Sequence, residues 1–168
     1  MYKTKKVKIG LVQIGEDFNN QYYLPYSIGL LQAYARKYFK KYVDYTFLKP
    51  LYKRMPFNKI VSYFKEADIV FFSVYMWNFN YSLEIGKRIK LKKPDCLIVF
   101  GGPQVPENSK EIELLLRKYP FINIACYGEG ENPFVEILES FEEKIWQNVS
   151  SIGYIKHDNS FVRNKRTE

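Results

Sequence analysis

Ile69 to Val74 reads IVFFSV, an apolar run with no polar alternation until its end. A strand with one wet face alternates, whereas a strand covered on both faces reads as a continuous apolar run, the pattern of parallel sheets clothed by helices. Asp68 leads into the run, and Tyr75 to Asn80 (YMWNFN) leaves it. The rest of the chain has to supply the parallel neighbours and the crossovers that such a strand requires.

Upstream, Val7 to Ile14 (VKIGLVQI) is short and apolar, and Pro25 to Lys40 carries Ile28, Leu31, Tyr34, Ala35 and Tyr38 at helical spacing. Val43 to Leu48 reads as a second strand. Phe57 to Phe64, opened by Pro56, reads as a second helix with Ile60, Val61 and Phe64 on one side. Downstream, Asn80 to Leu91 predicts a helix, Cys96 to Phe100 a strand, Lys110 to Lys118 a helix, Ile122 to Cys126 a strand and Asn132 to Ser140 a helix. Five strands alternating with five helices predict an α/β domain built on a doubly wound, five-stranded parallel sheet, Rossmann-like or flavodoxin-like. Parallel neighbours need crossover connections, and those crossovers cover both faces. After Trp146 the rhythm changes. Ser151 to Lys156, the polar turn HDNS and Phe161 to Arg163 predict a C-terminal β-hairpin. Residues 1–145 are therefore expected to form the α/β domain, and 146–168 a hairpin and basic tail outside the repeating unit.

The 168 residues, 46% hydrophobic and 26% charged, suffice for one compact domain with a real core. No apolar run approaches the roughly 20 residues of a membrane helix, and the start, MYKTKKVKIGLVQIG, lacks a long apolar segment with a small-residue cleavage site. A cytoplasmic protein is expected. The net charge of +8 is spread over ARKYFKKY, GKRIKLKKP and RNKR without regular aromatic interleaving, which reads as solvated helix faces and argues against nucleic acid. The two cysteines, Cys96 and Cys126, sit in apolar strands, where free cysteine packs as a small hydrophobe. No metal site is expected from them.

Open α/β sheets bind ligands outside the carboxyl ends of their strands, so the loops at those ends carry the candidates. Gly101 and Gly102, followed by Pro103, end the fourth strand; bare backbone there can approach a flat or bulky ligand closely, or simply make a tight turn. Gly128, Glu129 and Gly130 end the fifth strand just before a helix, with acids that argue against a phosphate beside them. Ser73, Tyr75, Trp77 and Asn78 put a hydroxyl, two aromatic rings and an amide at the end of the third, which suits an aromatic or macrocyclic ligand with polar edges or, alternatively, a cover over the core. The first strand ends in Gln13-Ile14-Gly15-Glu16-Asp17, which is neither a dinucleotide fingerprint nor a phosphate cradle.

In order and spacing, PYSIGLLQAYA after the first strand, SVYMWN after the third, GGPQVPE after the fourth and YGEGENPFVEILE after the fifth resemble the cobalamin-binding domain that precedes the barrel in cobalamin-dependent radical S-adenosylmethionine enzymes. The resemblance runs from Val7 to Arg163. It implies a corrin over the carboxyl ends of the strands and a nucleotide tail buried beside the sheet. On that resemblance Ser73 lies near the tail, and Gly101, Gly102 and Pro103 let it pass close to backbone. Tyr75, Trp77 and Asn78 lie under or beside the corrin, and Gln104 and Gly128 to Gly130 follow the tail and ring edge, with Gln13 in the first loop.

Two departures refine the expectation. Cobalamin carriers of the methionine-synthase type place Asp-x-His-x-x-Gly after the first strand; here QIGEDFNNQ stands there, and the one histidine, His157, lies in the hairpin turn, so no histidine is expected on cobalt. The radical enzymes also carry Cys-x-x-x-Cys-x-x-Cys for an iron–sulfur cluster, a motif missing from this chain. The chain is thus expected to be non-catalytic by itself. It would present cobalamin, as a methyl carrier, to a radical S-adenosylmethionine domain of the methyltransferase kind in cis or in trans, with the iron–sulfur cluster and S-adenosylmethionine held by that partner. The alternatives are a flavodoxin-like or nucleotide-binding regulatory module, and an interaction domain that has lost its cofactor.

Overall fold

The structure is a computed structural model that describes residues 6–19 and 21–166. The first five residues of the basic start, Asn20 of the first loop and residues 167–168 of the basic tail lie outside the described residues. In chain order the elements are β1 (Val7–Val12), β2 (Asp17–Phe18), β3 (Gln21–Tyr22), α1 (Tyr26–Tyr38), a 3₁₀ turn (Tyr42–Asp44), β4 (Tyr45–Phe47), α2 (Phe57–Tyr63), β5 (Ile69–Ser73), α3 (Phe79–Lys92), β6 (Leu97–Gly101), α4 (Ser109–Lys118), β7 (Ile124–Cys126), α5 (Glu131–Ser140), β8 (Ile152–Ile155) and β9 (Phe161–Arg163).

The five expected strands are β4, β1, β5, β6 and β7 in spatial order, all parallel. Counted along the chain this is the order 2-1-3-4-5, the doubly wound arrangement of the flavodoxin type. All five residues of β5 are buried, as its apolar run predicts. Adjacent residues nevertheless face opposite cores. Phe72 and Phe100 point into the layer under α2, α3 and α4, whereas Phe71 and Val99 point into the layer under α1 and α5. The pairs Phe71↔Val99 and Phe72↔Phe100 are in register across β5 and β6, so each layer receives stacked apolar rows from the two central strands. Removing each such side chain from water contributes about 1.5–3 kcal/mol.

Two features go beyond the expectation. The C-terminal hairpin, outside the repeating unit, nevertheless joins the sheet: β8 pairs antiparallel with β7, and β9 with β8, extending the five parallel strands to a seven-stranded sheet. The β7 edge would otherwise expose a row of unpaired backbone groups. The first loop, in turn, is partly ordered by β2 and β3, two-residue strands beside a turn in which Asn19 has φ 51°. Among the described residues no helix is long and apolar enough to cross a membrane.

Candidate functional site

Strands β5, β6 and β7 end at Ser73, Gly101 and Cys126, and all three residues line one cleft of about 280 Å³ that opens beyond the carboxyl edge of the sheet. Its floor is Phe71 and Val99, and its walls are Leu31 of α1 and Phe134 and Ile137 of α5. The Phe71 and Phe134 rings meet edge to face, 4.4 Å apart, which closes the inner end. The cleft is therefore an apolar slot between two helices with a polar and glycine-rich entrance.

The two glycines of the GGP turn play different parts. Gly102 has φ 99°, and a Cβ there would stand 2.8 Å from the Val74 carbonyl oxygen and 2.9 Å from its nitrogen. The turn itself needs this glycine, because it folds back on β5: the Val74 N–H donates to the Gly101 carbonyl at 2.7 Å, and the Gln104 N–H to the Val74 carbonyl at 3.1 Å. Gly101 is under no such constraint. A Cβ there would make only ordinary contact with Cys126, at 3.6 Å, so packing does not demand its bareness, and what a methyl would occupy is cleft. Gly128 also has a positive φ, 71°, and turns the chain from β7 towards α5. Gly130 is the residue before α5, and Leu31 lies 3.4 Å from where its Cβ would stand.

Ser73 is 7% exposed, and its hydroxyl has no hydrogen-bond partner among the described residues. It lies 3.4 Å from the notional Gly102 Cβ and faces the cleft. Tyr75 and Ser27 share a hydrogen bond of 2.7 Å that joins the β5–α3 loop to α1. The Tyr75 ring stacks on Trp77, with centroids 4.6 Å apart and planes at 13°. Tyr26 at the cleft is exposed, as are Tyr23, Leu24, Met76 and Trp77 in the loops before α1 and after β5.

Eight of the residues singled out from the sequence line this cleft: Ser73, Tyr75, Gly101, Gly102, Pro103, Gly128, Glu129 and Gly130. Four do not. Asn78 is fully buried and turned into the protein: its Oδ1 accepts from the Tyr75 N–H at 2.9 Å, and its Nδ2 donates to the Ile14 carbonyl at 2.9 Å and the Ser73 carbonyl at 3.3 Å. Gln13 accepts the Ile28 N–H on Oε1 at 3.2 Å, satisfying one of the free donors at the start of α1. Trp77 stands at the rim behind Tyr75, and Gln104 is exposed beyond the turn. The walls from α1 and α5, Leu31, Phe134 and Ile137, were not singled out. Apolar residues at helical spacing look the same whether they fill a core or border a slot.

The chemistry of the lining is quiet. Burial pushes the Cys126 thiol up to about 12, with the Glu136 and Glu131 carboxylates adding to the effect, so it faces the cleft as a neutral thiol. Burial likewise pushes Cys96 up to about 11, and both cysteines are free and buried as expected. Among the described residues no group of three His, Cys, Asp or Glu side chains is placed to hold a metal ion. Glu129 pairs with Arg166 at 3.3 Å on the rim. The first loop is no phosphate cradle either: the Gln13 and Gly15 N–H groups donate to the Leu51 and Tyr52 carbonyls at 3.0 and 2.9 Å.

A model of the B12 binding domain matches residues 30–138, which include most of α1, the three central strand ends and most of α5. The chain belongs to the B12 binding domain family. This B12 binding domain is similar to part of the cobalamin-dependent radical SAM methyltransferase TokK of Streptomyces tokunonensis, 32% identical over 120 residues, or 71% of this chain and 17% of that protein. It is also similar to the 2-(S-pantetheinyl)-carbapenam-3-carboxylate methyltransferase of Streptantibioticus cattleyicolor, 28% identical over 116 residues, or 69% of this chain and 17% of that protein. Its fold is that of a region of the cobalamin-dependent S-adenosylmethionine radical enzyme OxsB, solved with aqua-cobalamin bound. The TM-score is 0.74 at 20% identity, over 98% of this chain and 23% of that one. The apo form of OxsB gives 0.71 at 21% identity, over 97% and 22%. The chain thus spans less than a quarter of the length of these relatives.

Proposed function

We propose that this B12 binding domain holds cobalamin with its nucleotide tail in the α1–α5 cleft and its corrin across the mouth, and presents it to a radical S-adenosylmethionine domain in cis or in trans. The observation that carries this reading is Gly101, a glycine that packing does not require, bordering a slot that a side chain would obstruct. About 280 Å³ lies just under the usual range for whole drug-sized ligands. It suits the flat base that ends the tail and leaves the macrocycle outside, against Tyr75, Trp77 and the other exposed apolar side chains of the rim.

Each residue then has a physical task. Leu31, Phe71, Phe134 and Ile137 exclude water from the base. Ser73 offers its hydroxyl, which faces the cleft, to a polar atom of the tail, with no protein group among the described residues competing for it. Gly101 and Gly102 let the tail run against backbone, Gly128 to Gly130 border its exit, and the Tyr75–Trp77 stack supports a ring face. Gln13 and Asn78 act through other residues, by fixing α1 and the β5–α3 loop. Bound cobalamin supplies a cobalt centre able to carry a methyl group, while the iron–sulfur cluster and S-adenosylmethionine belong to the partner domain. No residue of this chain is assigned as acid, base or nucleophile.

The test is a visible-absorption titration of the purified chain with hydroxocobalamin, followed by desalting. About one equivalent retained, and lost in Gly101→Val, is the expected result. Free wash-out from folded protein would leave the cleft without a corrinoid role and favour a domain that only makes protein contacts.

A further inference from the structure

A second pocket, of about 600 Å³, lies at the opposite, amino-terminal edge of the parallel strands. It is bordered where β6 begins, at Leu97, and where the antiparallel β8 ends, at Tyr154 and Ile155. Nothing in the cobalamin reading uses it.

Its polar groups are mostly donors. Lys90 of α3, Lys144 after α5 and Lys156 in the β8–β9 turn line it from three elements. Lys90 Nζ donates to the Cys96 carbonyl at 2.7 Å and to Asn123 Oδ1 at 3.0 Å, which leaves one N–H free. Asn123 Oδ1 also accepts the Ile98 N–H at 2.9 Å, so its amide is locked with the oxygen inward and the NH₂ end unspent. Among the described residues, Lys144 and Lys156 have no carboxylate within ion-pair distance. Of the two acids at the pocket, Asp95 and Asp158, Asp158 is held by Ser160, whose N–H and hydroxyl donate to Oδ1 at 2.9 and 2.5 Å.

The second observation is Tyr154. It is 5% exposed, it lines this pocket, and its buried hydroxyl has no hydrogen-bond partner. A buried hydroxyl left so carries a desolvation penalty that a ligand oxygen would remove. Burial also pushes the Lys90 ammonium below its ordinary value, and the Lys144 charge acts in the same direction against Cys96 and Asp95; the opposite charge of a bound anion would favour the ammonium. Half-buried Phe141 and Trp146 form an apolar wall beside these donors. Trp146 is anchored through its carbonyl, which accepts from Asn164 Nδ2 at 2.6 Å and the Val149 N–H at 3.1 Å.

We propose that this pocket is a binding site for a small organic anion, a carboxylate or phosphate carried on a flat apolar body, whose oxygens meet Tyr154, Asn123 and the three lysines while its ring lies against Trp146. The site is separate from the corrinoid cleft and stands or falls independently of it.

In a Trp77→Phe background Trp146 is the one remaining tryptophan of two, so its fluorescence reports on this pocket alone. Phenyl phosphate and benzoate are titrated separately, with benzylamine as the cationic control. Saturable binding at about 1 mM or tighter is expected, weakened about tenfold by Tyr154→Phe and more by Lys144→Gln combined with Lys156→Gln, with no melting temperature lowered and that of Tyr154→Phe raised or unchanged, since it removes an unpaired buried hydroxyl. Response to phenyl phosphate alone assigns a phosphate, and to benzoate alone a carboxylate. An unsaturable response, an equal response to benzylamine, or saturation indifferent to these substitutions overturns the site.

Discussion

Ser27 and Tyr75, 48 residues apart in the chain, share a hydrogen bond of 2.7 Å at the mouth of the cleft. It ties the start of α1 to the loop after β5 and holds the Tyr75 ring flat against Trp77. Losing it in Tyr75→Phe should cost about 0.5–1.5 kcal/mol of stability and speed corrinoid release, because the stacked ring loses its anchor. Chemical denaturation and the rate of colour loss on dilution measure the two effects.

Gly101→Ala and Gly102→Ala should separate site from turn. The first adds a methyl at ordinary contact distance and should leave the melting temperature nearly unchanged while weakening corrinoid retention. The second forces an alanine to φ 99° and against the Val74 backbone and should destabilise the fold by at least 1–3 kcal/mol, roughly the cost of one strained residue. Thermal melts with and without hydroxocobalamin check both. Equal behaviour of the two variants would contradict the division of roles.

Ser73→Ala removes a hydroxyl that no protein group uses, so apo stability should hold. Corrinoid affinity should fall about 2- to 10-fold, the worth of one ordinary hydrogen bond. Equilibrium titration of the variant reads this directly.

Asn78→Ala should unfold more readily without any direct effect on a ligand. It strands the Tyr75 N–H and two carbonyls inside the protein, and each buried group left unpaired costs about 1–3 kcal/mol. A shifted denaturation midpoint, with normal corrinoid uptake by the fraction still folded, is the expected outcome.

Alkaline pH should weaken the fold. Burial raises Cys126 from 9.0 to about 12, Cys96 from 9.0 to about 11 and Tyr45 from 10.0 to about 12; the Tyr45 hydroxyl donates to the Leu138 carbonyl at 3.0 Å. Between the unfolded and folded values the folded chain keeps protons that the unfolded chain has lost, so unfolding releases protons and stability falls as pH rises. The stabilisation is complete below pH 9 and decreases from there towards 12. Denaturation midpoints across that window check the sign. At pH 8 both cysteines should resist iodoacetamide in the folded chain and react once it is unfolded.

Much of the architecture could be read in advance. The apolar run of β5, the helical spacing of Ile28, Leu31 and Ala35, and Pro56 before α2 all report burial or local geometry, which neighbours in the chain dictate. So could the loops of the site, because parallel strands bring their carboxyl ends to one edge. Less legible was which side chains turn into the cleft. Leu31, Phe134 and Ile137 have the spacing of core residues, and nothing local distinguishes a helix face that meets another helix from one that stands off it. The edge pairing of β7 with β8 was likewise invisible, since antiparallel pairing of a late hairpin depends on where the sheet ends in space.

By itself the sequence determined the alternation of strands and helices, hence the doubly wound sheet and the edge where a ligand would lie, because apolar periodicity and turn residues act over a few positions. Only the tertiary structure decided that the turn forbids a Cβ at Gly102 but not at Gly101, that Asn78 faces inward, and that the Ser73 hydroxyl faces the cleft. Those outcomes depend on groups distant in sequence. The carbonyl that Asn78 satisfies belongs to Ile14, 64 residues away, and the contact that distinguishes the two glycines is with the backbone of Val74 on the neighbouring strand's exit.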